Sequence, residues 1–322
     1  MDNLFAIYIF TKDRPDILAK TLESVVGTPY QIFIVDDSAL SPNNELVTQL
    51  CHRYAIGYLG KEAFQTLSKK ICAKGILPSK LLRSPGHAEW NLGYMRNFAL
   101  VHAVTNRFEK IIYMDDDISV TEHRLLKELF SLIDAYLFAG AEISGMIDDS
   151  IMGHIATDLD IFNDRMLSGG FLAFNPKSVN HFFLNIYNED WLWLFLQLSG
   201  RNYIQFGKVL QNLTDAFENY EKKIEFQEYG ELALEGVINC YRSASFERLQ
   251  DLDFWKSIVV ERLAYLNQLH TIAGAQQKKH FQKIISLAKN VVLKLEAEEF
   301  FNLFVEYNNE LSLFKKILDT FH

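Results

Sequence analysis

Cysteine is scarce, with three residues in 322, and Cys51, Cys72 and Cys240 are far apart, odd in number and without the close pairs of a zinc site. A disulfide framework and a cysteine-held metal centre are excluded. The three are read as reduced, buried thiols of a cytosolic protein. Positive charge is also in deficit: Lys and Arg total 32 against 41 Asp and Glu, a formal charge of −9. The basic residues are dispersed or sit among acids, as in Lys222, Lys223 and Glu225. No basic stripe is available to displace phosphate counterions, so broad nucleic-acid binding is excluded. A phosphate ligand would have to be held locally, by a few backbone or Arg contacts or through a metal. Long apolar runs are missing too. The most apolar window, Leu129 to Ile147, is interrupted by Asp134 and Glu142 and falls short of the roughly 20 clean residues of a spanning helix. The start, Met1-Asp2-Asn3, puts an acid where a secretion signal needs a basic region, and the run Leu4 to Phe10 behind it is short. The expectation is a cytoplasmic chain without a transmembrane segment, with peripheral contact to a membrane or an assembly complex left open.

Proline and glycine fade along the chain. All six prolines lie at or before Pro176, and beyond Gly236 the only glycine is Gly274. The shift predicts a boundary, with one domain over 1–239 and a helical region over 240–322. In the second part apolar residues recur at helical spacing: Trp255, Ile258, Val259, Leu263 and Leu266, then Phe281, Ile284, Ile285, Ala288 and Val292, then Leu311, Phe314, Ile317 and Leu318. Three or four amphipathic helices are expected there, without recognisable catalytic chemistry. They would serve as a binding platform, an oligomer interface or a cover for the sheet.

The first part has the material for a core, with 49% hydrophobic and 13% aromatic residues overall, and it alternates. Leu4 to Phe10 is a short apolar run, and Pro15 then opens a segment with Leu18, Leu22 and Val25 on one face, where proline suits a first helical turn. Gln31 to Val35 repeats the strand, Asn43 to Tyr54 the helix, Gly93 to Thr105 another helix, and Lys110 to Met114 a further buried strand. This order implies an α/β fold with a mostly parallel sheet flanked by helices. Polar residues recur immediately after strands: Thr11 to Arg14, Asp36-Asp37-Ser38, and Asp115-Asp116-Asp117. In open parallel sheets the carboxyl ends share an edge where ligands bind, so three clusters should meet in one site.

Asp115-Asp116-Asp117 is the sharpest signal. Successive carboxylates repel unless solvent or a cation offsets them, and Asp115 and Asp117, two apart at a strand end, should face the same way. Such oxygens suit Mg²⁺ or Mn²⁺ carrying a diphosphate; a solvated acidic turn is the other reading. Asp36-Asp37-Ser38 suits either a turn or hydrogen bonds to a nucleobase or ribose. Arg14 suits a phosphate or an exposed helix start. Asn188-Glu189-Asp190-Trp191 follows the pair Gly169-Gly170 and the run Phe171 to Phe174. It reads as a capped helix start, as a general base, or as both.

Taken in order, Thr11-Lys-Asp-Arg14-Pro15, Ile34-Val35-Asp36-Asp37-Ser38, Asn91-Leu-Gly93-Tyr-Met-Arg96-Asn97, Asp115-Asp-Asp117, Gly169-Gly170-Phe171 and Asn188-Glu189-Asp190-Trp191 resemble the signature of GT-A fold glycosyltransferases, especially glycosyltransferase family 2. The resemblance covers residues 4–215 and implies a GT-A (Rossmann-like) sheet. It implies that Asp37, with Asp36 beside it, binds the nucleoside of a nucleotide-sugar donor, most readily a UDP-sugar. Thr11, Arg14, Arg96 and Asp116 would complete the donor site. Asp115 and Asp117 would be the ends of the family's Asp-x-Asp, touching ribose or sugar and metal, with Mn²⁺ or Mg²⁺ as the cofactor. Asp190 would be the catalytic base and Glu189 would help to orient the acceptor, with Gly169, Gly170 and Trp191 on the sugar and acceptor side. Such enzymes usually invert by direct displacement. The chain departs from the pattern where many relatives carry a metal-binding His: Phe206 to Asn212 offers Gln211 instead. His154 and His181 are read as surface or satisfied core residues.

The expected function is therefore metal-dependent transfer of a sugar to an acceptor hydroxyl on a saccharide, peptide or small molecule. The loop Asp148 to Arg165 is a candidate acceptor segment, and the C-terminal helices are a candidate homo-oligomer contact. Two alternatives stay open: a catalytically silent sugar-nucleotide-binding or scaffold protein on the same fold, and an Asp-x-Asp phosphatase or phosphotransferase, against which the mid-chain position of the triplet argues.

Overall fold

The computed structural model describes residues 4–38, 42–74, 91–145, 150–161, 167–198, 202–212, 217 and 219–321. Strand β1 (Phe5–Thr11) is followed by helix α1 (Pro15–Val25), β2 (Gln31–Asp36), α2 (Asn43–Tyr54), β3 (Gly57–Leu59) and α3 (Lys61–Ala73). Next come α4 (Leu92–Thr105), β4 (Lys110–Asp115), β5 (Ile118–Ser119), α5 (His123–Leu132), β6 (Phe138–Gly145) and α6 (Ile151–Asp158). Then β7 (Phe171–Phe174), α7 (Glu189–Gln197) and β8 (Tyr203–Gln211) complete the sheet. Its order is β3-β2-β1-β4-β7-β6-β8-β5.

The α/β alternation read from the sequence is present, and the sheet is mixed. β3, β2, β1 and β4 run parallel, as do β6 and β8, whereas β7 enters antiparallel between β4 and β6, and β5 is antiparallel to β8. Register then decides where the polar ends meet. Thr11 lies opposite Asp36, and Phe10 opposite Asp115, so β1, β2 and β4 stop at one level. Because β7 runs the other way and starts with Phe171 against Met114, the pair Gly169-Gly170 that precedes it arrives at the same edge. β8 follows the direction of β6, which brings Gln211, its last residue, to that edge as well.

Beyond the sheet lie α8 (Tyr220–Ser243), a 3-10 turn over Phe246–Gln250, α9 (Leu252–Ala275), α10 (Lys279–Val292) and α11 (Ala297–Phe321). The predicted stripes are the buried faces of the last three: Trp255, Ile258 and Leu266, then Ile284, Ile285, Ala288 and Val292, then Phe314, Ile317 and Leu318. Helix α8 begins well before residue 240, and the 239/240 division falls inside it. The apolar core is continuous from the sheet into these helices. Trp193 packs on Phe138 and Phe174 with ring centroids 5.2 Å apart in both cases, Phe182 meets Tyr307 of α11 at 4.3 Å, and Trp255 stacks on Phe300 and Phe304, each at 5.3 Å. Each of those rings removes a large apolar area from water on folding.

His181 is the satisfied core residue expected, its Nδ1 2.9 Å from the Tyr307 hydroxyl, and burial lowers its pKa to about 4. Half-buried His154 sits on α6. Cys51 and Cys240 are buried as expected, and Cys72 is exposed near the end of α3, where the helix turns its apolar face of Phe64, Leu67 and Ile71 inward instead. No helix among the described residues is long and apolar enough to cross a membrane.

Candidate active site

The acidic triplet divides by side-chain direction, as the two-residue period of a strand end requires. Asp116 is turned fully into the protein. Thr11 at the end of β1 donates to its Oδ2 at 2.6 Å, Arg14 donates to its Oδ1, and the Thr21 hydroxyl donates to its backbone carbonyl at 2.5 Å. The donor contacts expected of Thr11 and Asp116 therefore meet a different placement: these two bond each other, because a buried carboxylate must find donors within the fold. Burial raises Asp116 to about 7 despite Arg14. Arg14 is nearly half exposed and also lies 3.5 Å from Asp117. Burial works against its charge, and the attraction of Asp116, Asp117 and Asp115 outweighs it, so Arg14 is raised.

Asp117 is held on the other side of the turn. Gln211 Nε2 donates to its Oδ1 at 3.4 Å, and the amide of Asn212 donates to its carbonyl at 2.9 Å. Burial, then repulsion from Asp115, raises its pKa to about 6. Asp115, at the end of β4, has its amide bonded to the Gly170 carbonyl at 2.9 Å and its Oδ1 3.4 Å from Arg96. It too is raised by burial.

The Asp36-Asp37 pair also divides. Asp36 is buried, with Oδ1 accepting from the Ser38 amide at 2.9 Å and Oδ2 accepting from Asn44 at 3.0 Å and the Tyr58 hydroxyl at 2.9 Å. This is the turn reading of the motif, and these bonds within the fold account for the Asp36 carboxylate that was expected at the nucleoside. Asp37 is the more open of the two. Its Oδ2 accepts from Asn91 at 2.9 Å and pairs with Lys12 at 3.2 Å.

Arg96, on α4, is the hub of the second half of the site. Its side chain is only 2% exposed, and it lies 3.1 Å from Glu189, 3.4 Å from Asp115 and 3.9 Å from Asp190. The guanidinium sits between the rings of Phe10 and Phe183, 5.7 and 5.8 Å from their centroids. The sequence placed Arg96 at the donor; the structure surrounds it with this chain's carboxylates, which keep it charged. Burial raises Glu189, and the Arg96 guanidinium beside it pulls it back. Glu189 is thus a buried partner of Arg96.

Asp190 does not cap its own helix. Its Oδ2 reaches across to the amide of Gly169, 2.7 Å away, and Asn188 enters α7 in the left-handed region at φ 62° with no side-chain cap. The two glycines permit this close approach. A Cβ on Gly169 would collide with Arg96 and Asp190, and one on Gly170 would stand 2.9 Å from Asp115 Oδ2. Asp190, Asp115 and Trp191 all border a cavity of about 300 Å³. The far wall of that cavity was not foreseen: Glu231, Leu234, Glu235 and Ile238 of α8 and Arg262 and Tyr265 of α9. Of the loop Asp148 to Arg165, the residues Asp148, Asp149 and Arg165 lie outside the described residues, while Asp158 and Asp160 are exposed and Met152 and Gly153 of α6 line the cavity.

Among the described residues no group of three His, Cys, Asp or Glu is placed to hold a metal ion. Asp115 and Asp117 nevertheless fit a hard cation that takes most of its ligands from a bound diphosphate, a mode needing one or two carboxylates. The buried Gln211 Oε1 beside Asp117 has no hydrogen-bond partner among the described residues.

No protein-family model and no curated protein matches the chain. Solved structures do. A mannosyltransferase from Pyrobaculum calidifontis, solved with GDP-Man and Mn²⁺, superposes with a TM-score of 0.51 at 8% identity, covering 91% of this chain and 87% of its own. Glucosyl-3-phosphoglycerate synthase from Mycobacterium tuberculosis, solved with Mn²⁺, UDP and glucosyl-3-phosphoglycerate, gives 0.49 at 11% identity over 74% of this chain and 80% of its own. The fold is that of the GT-A glycosyltransferases.

Proposed function

We propose that the chain is a divalent-metal-dependent glycosyltransferase that moves a sugar from a nucleoside-diphosphate donor, a UDP-sugar foremost, to an acceptor hydroxyl with inversion. The observation that carries this reading is the convergence of Asp115 from β4 and Asp190 from α7 on one cavity at the carboxyl edge of the sheet. Asp37, the more open member of its pair, is the nucleoside ligand. Asp115 and Asp117 would hold Mn²⁺ or Mg²⁺, with Gln211 offering a further oxygen, and the ion when bound offsets the charge of the departing diphosphate.

Asp190 is the base. Its Oδ2 is oriented by the Gly169 amide, 2.7 Å away, with the Arg96 guanidinium 3.9 Å from the same oxygen. It takes the proton of the acceptor hydroxyl as that oxygen bonds to the anomeric carbon, while the bond from that carbon to the diphosphate oxygen breaks and the nucleoside diphosphate leaves. Glu189 is a positioning residue: through Arg96 it sets the guanidinium between Asp115 and Asp190. Asp190→Asn should leave donor binding near wild type and lower transfer by about 10²–10⁴-fold, the usual contribution of a positioned base. Asparagine retains an oxygen for the Gly169 amide, so a melting curve close to wild type is expected. Wild-type turnover in this variant would remove Asp190 from the mechanism.

A further inference from the structure

The cavity beside Asp190 is built by two parts of the chain that the sequence kept separate. One wall is the catalytic edge, with Asp115, Arg96 and Asp190. The other is the helical region, whose α8 presents Glu231, Leu234, Glu235 and Ile238 at helical spacing. Tyr265 of α9 completes this wall, and Tyr187 and Trp191 border the space from the α7 side. Neither Asp37 nor Asp117 lines it. The cavity therefore extends from the reacting end of the site away from the nucleotide side.

Its chemistry is selective. Five carboxylates line it, those of Asp115, Glu189, Asp190, Glu231 and Glu235, against the guanidinium groups of Arg96, Arg242 and Arg262. Arg262 is no anion receptor. It is 2% exposed, it donates to both oxygens of Glu228 at 2.8 and 3.0 Å and to Glu235 at 2.6 Å, and Glu231 lies 3.5 Å away. Arg96 is likewise held by acids, its Nη1 3.1 Å from Glu189 and 3.9 Å from Asp190 and its side chain 2% exposed. A ligand between these walls meets mainly carboxylate oxygens, to which it must donate, with the exposed Arg242 beside them. Hydroxyl groups donate to such oxygens, whereas ionised carboxylate and phosphate groups only accept, and five acidic side chains stand against three basic ones on this lining. Three aromatic side chains on the same cavity supply flat apolar surface for the C–H face of a sugar ring. A volume of about 300 Å³ is at the small end for a ligand pocket.

We infer that this cavity is the acceptor subsite, that the C-terminal helices form half of it, and that it takes an uncharged sugar unit and rejects anionic acceptors. The inference rests on the transferase reading above. It is tested on the full-length chain, after Mn²⁺-dependent UDP binding has been established by calorimetry so that failure of the donor reading is seen separately. With UDP and Mn²⁺ present, saturation-transfer NMR is recorded at millimolar concentrations of methyl glycosides of glucose, galactose, mannose and N-acetylglucosamine. Maltotriose represents a sugar displayed on a longer chain. Glucose 6-phosphate, 3-phosphoglycerate and glucuronate are the anionic probes. The expected result is saturation transfer to at least one uncharged probe and to no anionic one. Transfer to maltotriose alone would identify a glycan terminus, and transfer to a methyl glycoside a free sugar. Tyr265→Ala should reduce the affinity of that probe about tenfold, and Tyr265→Phe should restore it, with UDP affinity unchanged in both. Preference for an anionic probe, or no uncharged probe bound while UDP binding is intact, overturns the inference. Affinity unaltered by Tyr265→Ala overturns the assignment to this cavity.

Discussion

Replacing Arg96 by methionine tests the electrostatic design of the site. The guanidinium is 2% exposed and is the only cation within 4 Å of Glu189, Asp115 or Asp190 among the described residues. Methionine keeps much of the contact with Phe10 and Phe183 and removes the charge, so the loss is electrostatic in the main. Breaking a buried pair by removing one partner costs about 3–5 kcal/mol, because the other charge is left buried and uncompensated. Glu189 bears most of this, since its side chain is 3% exposed and it is the nearest of the three carboxylates. Urea unfolding of Arg96→Met at neutral pH should therefore show a loss of about 3–5 kcal/mol. Adding Glu189→Gln to Arg96→Met should recover part of it, with a coupling energy of about 1–3 kcal/mol. The penalty should also shrink in acid, as Glu189 protonates more readily without its partner. A loss below about 1 kcal/mol, or no coupling between the two substitutions, would show that Arg96 is not the counter-charge for a buried acid.

Two further outcomes are expected. Asp116 is raised by burial from its ordinary value of 3.8 to about 7, so the folded chain binds its proton more tightly than the unfolded chain. Stability from this group is complete below about pH 4 and is lost as pH rises towards 7, and Asp116→Asn should flatten the fall in urea midpoint across that window; an unchanged slope would exclude the group. A fragment ending at Gly236 uncovers Phe182, which packs on Tyr307, and Tyr229, which packs on Phe300 at 4.8 Å. It should aggregate in size-exclusion chromatography, and a monodisperse fragment with full UDP binding would show instead that the helices are separable.

Much of the sheet was legible because period and punctuation agreed there. Pro15 opens α1, the helix Asn43–Tyr54 has the predicted bounds, and β4 extends the predicted run by one residue, Asp115. The edge at which Thr11, Asp36 and Asp115 gather follows from placing polar residues after apolar runs. What escaped was set by long-range contact. That Asp116 turns to Thr11 and Asp36 to Tyr58 depends on register between strands, which local pattern does not carry. The antiparallel entry of β7 has no local signal in Phe171 to Phe174, a short apolar run that fits either direction. The cavity wall escaped for a different reason. Glu228, Glu231 and Glu235 look like an ordinary solvated helix face, and only the buried Arg262, 27 to 34 residues further on, turns that face inward. A guanidinium inside the otherwise apolar pattern of α9 was the available clue.

Asp115 and Asp117 are proposed to carry a divalent cation together with a nucleoside diphosphate. Calorimetric titration of UDP into the full-length chain, with Mn²⁺ and with a chelator, tests it most directly. Saturable binding is expected in Mn²⁺, abolished by the chelator and weakened at least tenfold in Asp117→Asn, which removes one charge from a hard-cation site while an equally folded protein is confirmed by its melting curve. Equal UDP affinity in wild type and Asp117→Asn at saturating Mn²⁺, or binding that ignores the chelator, would contradict it.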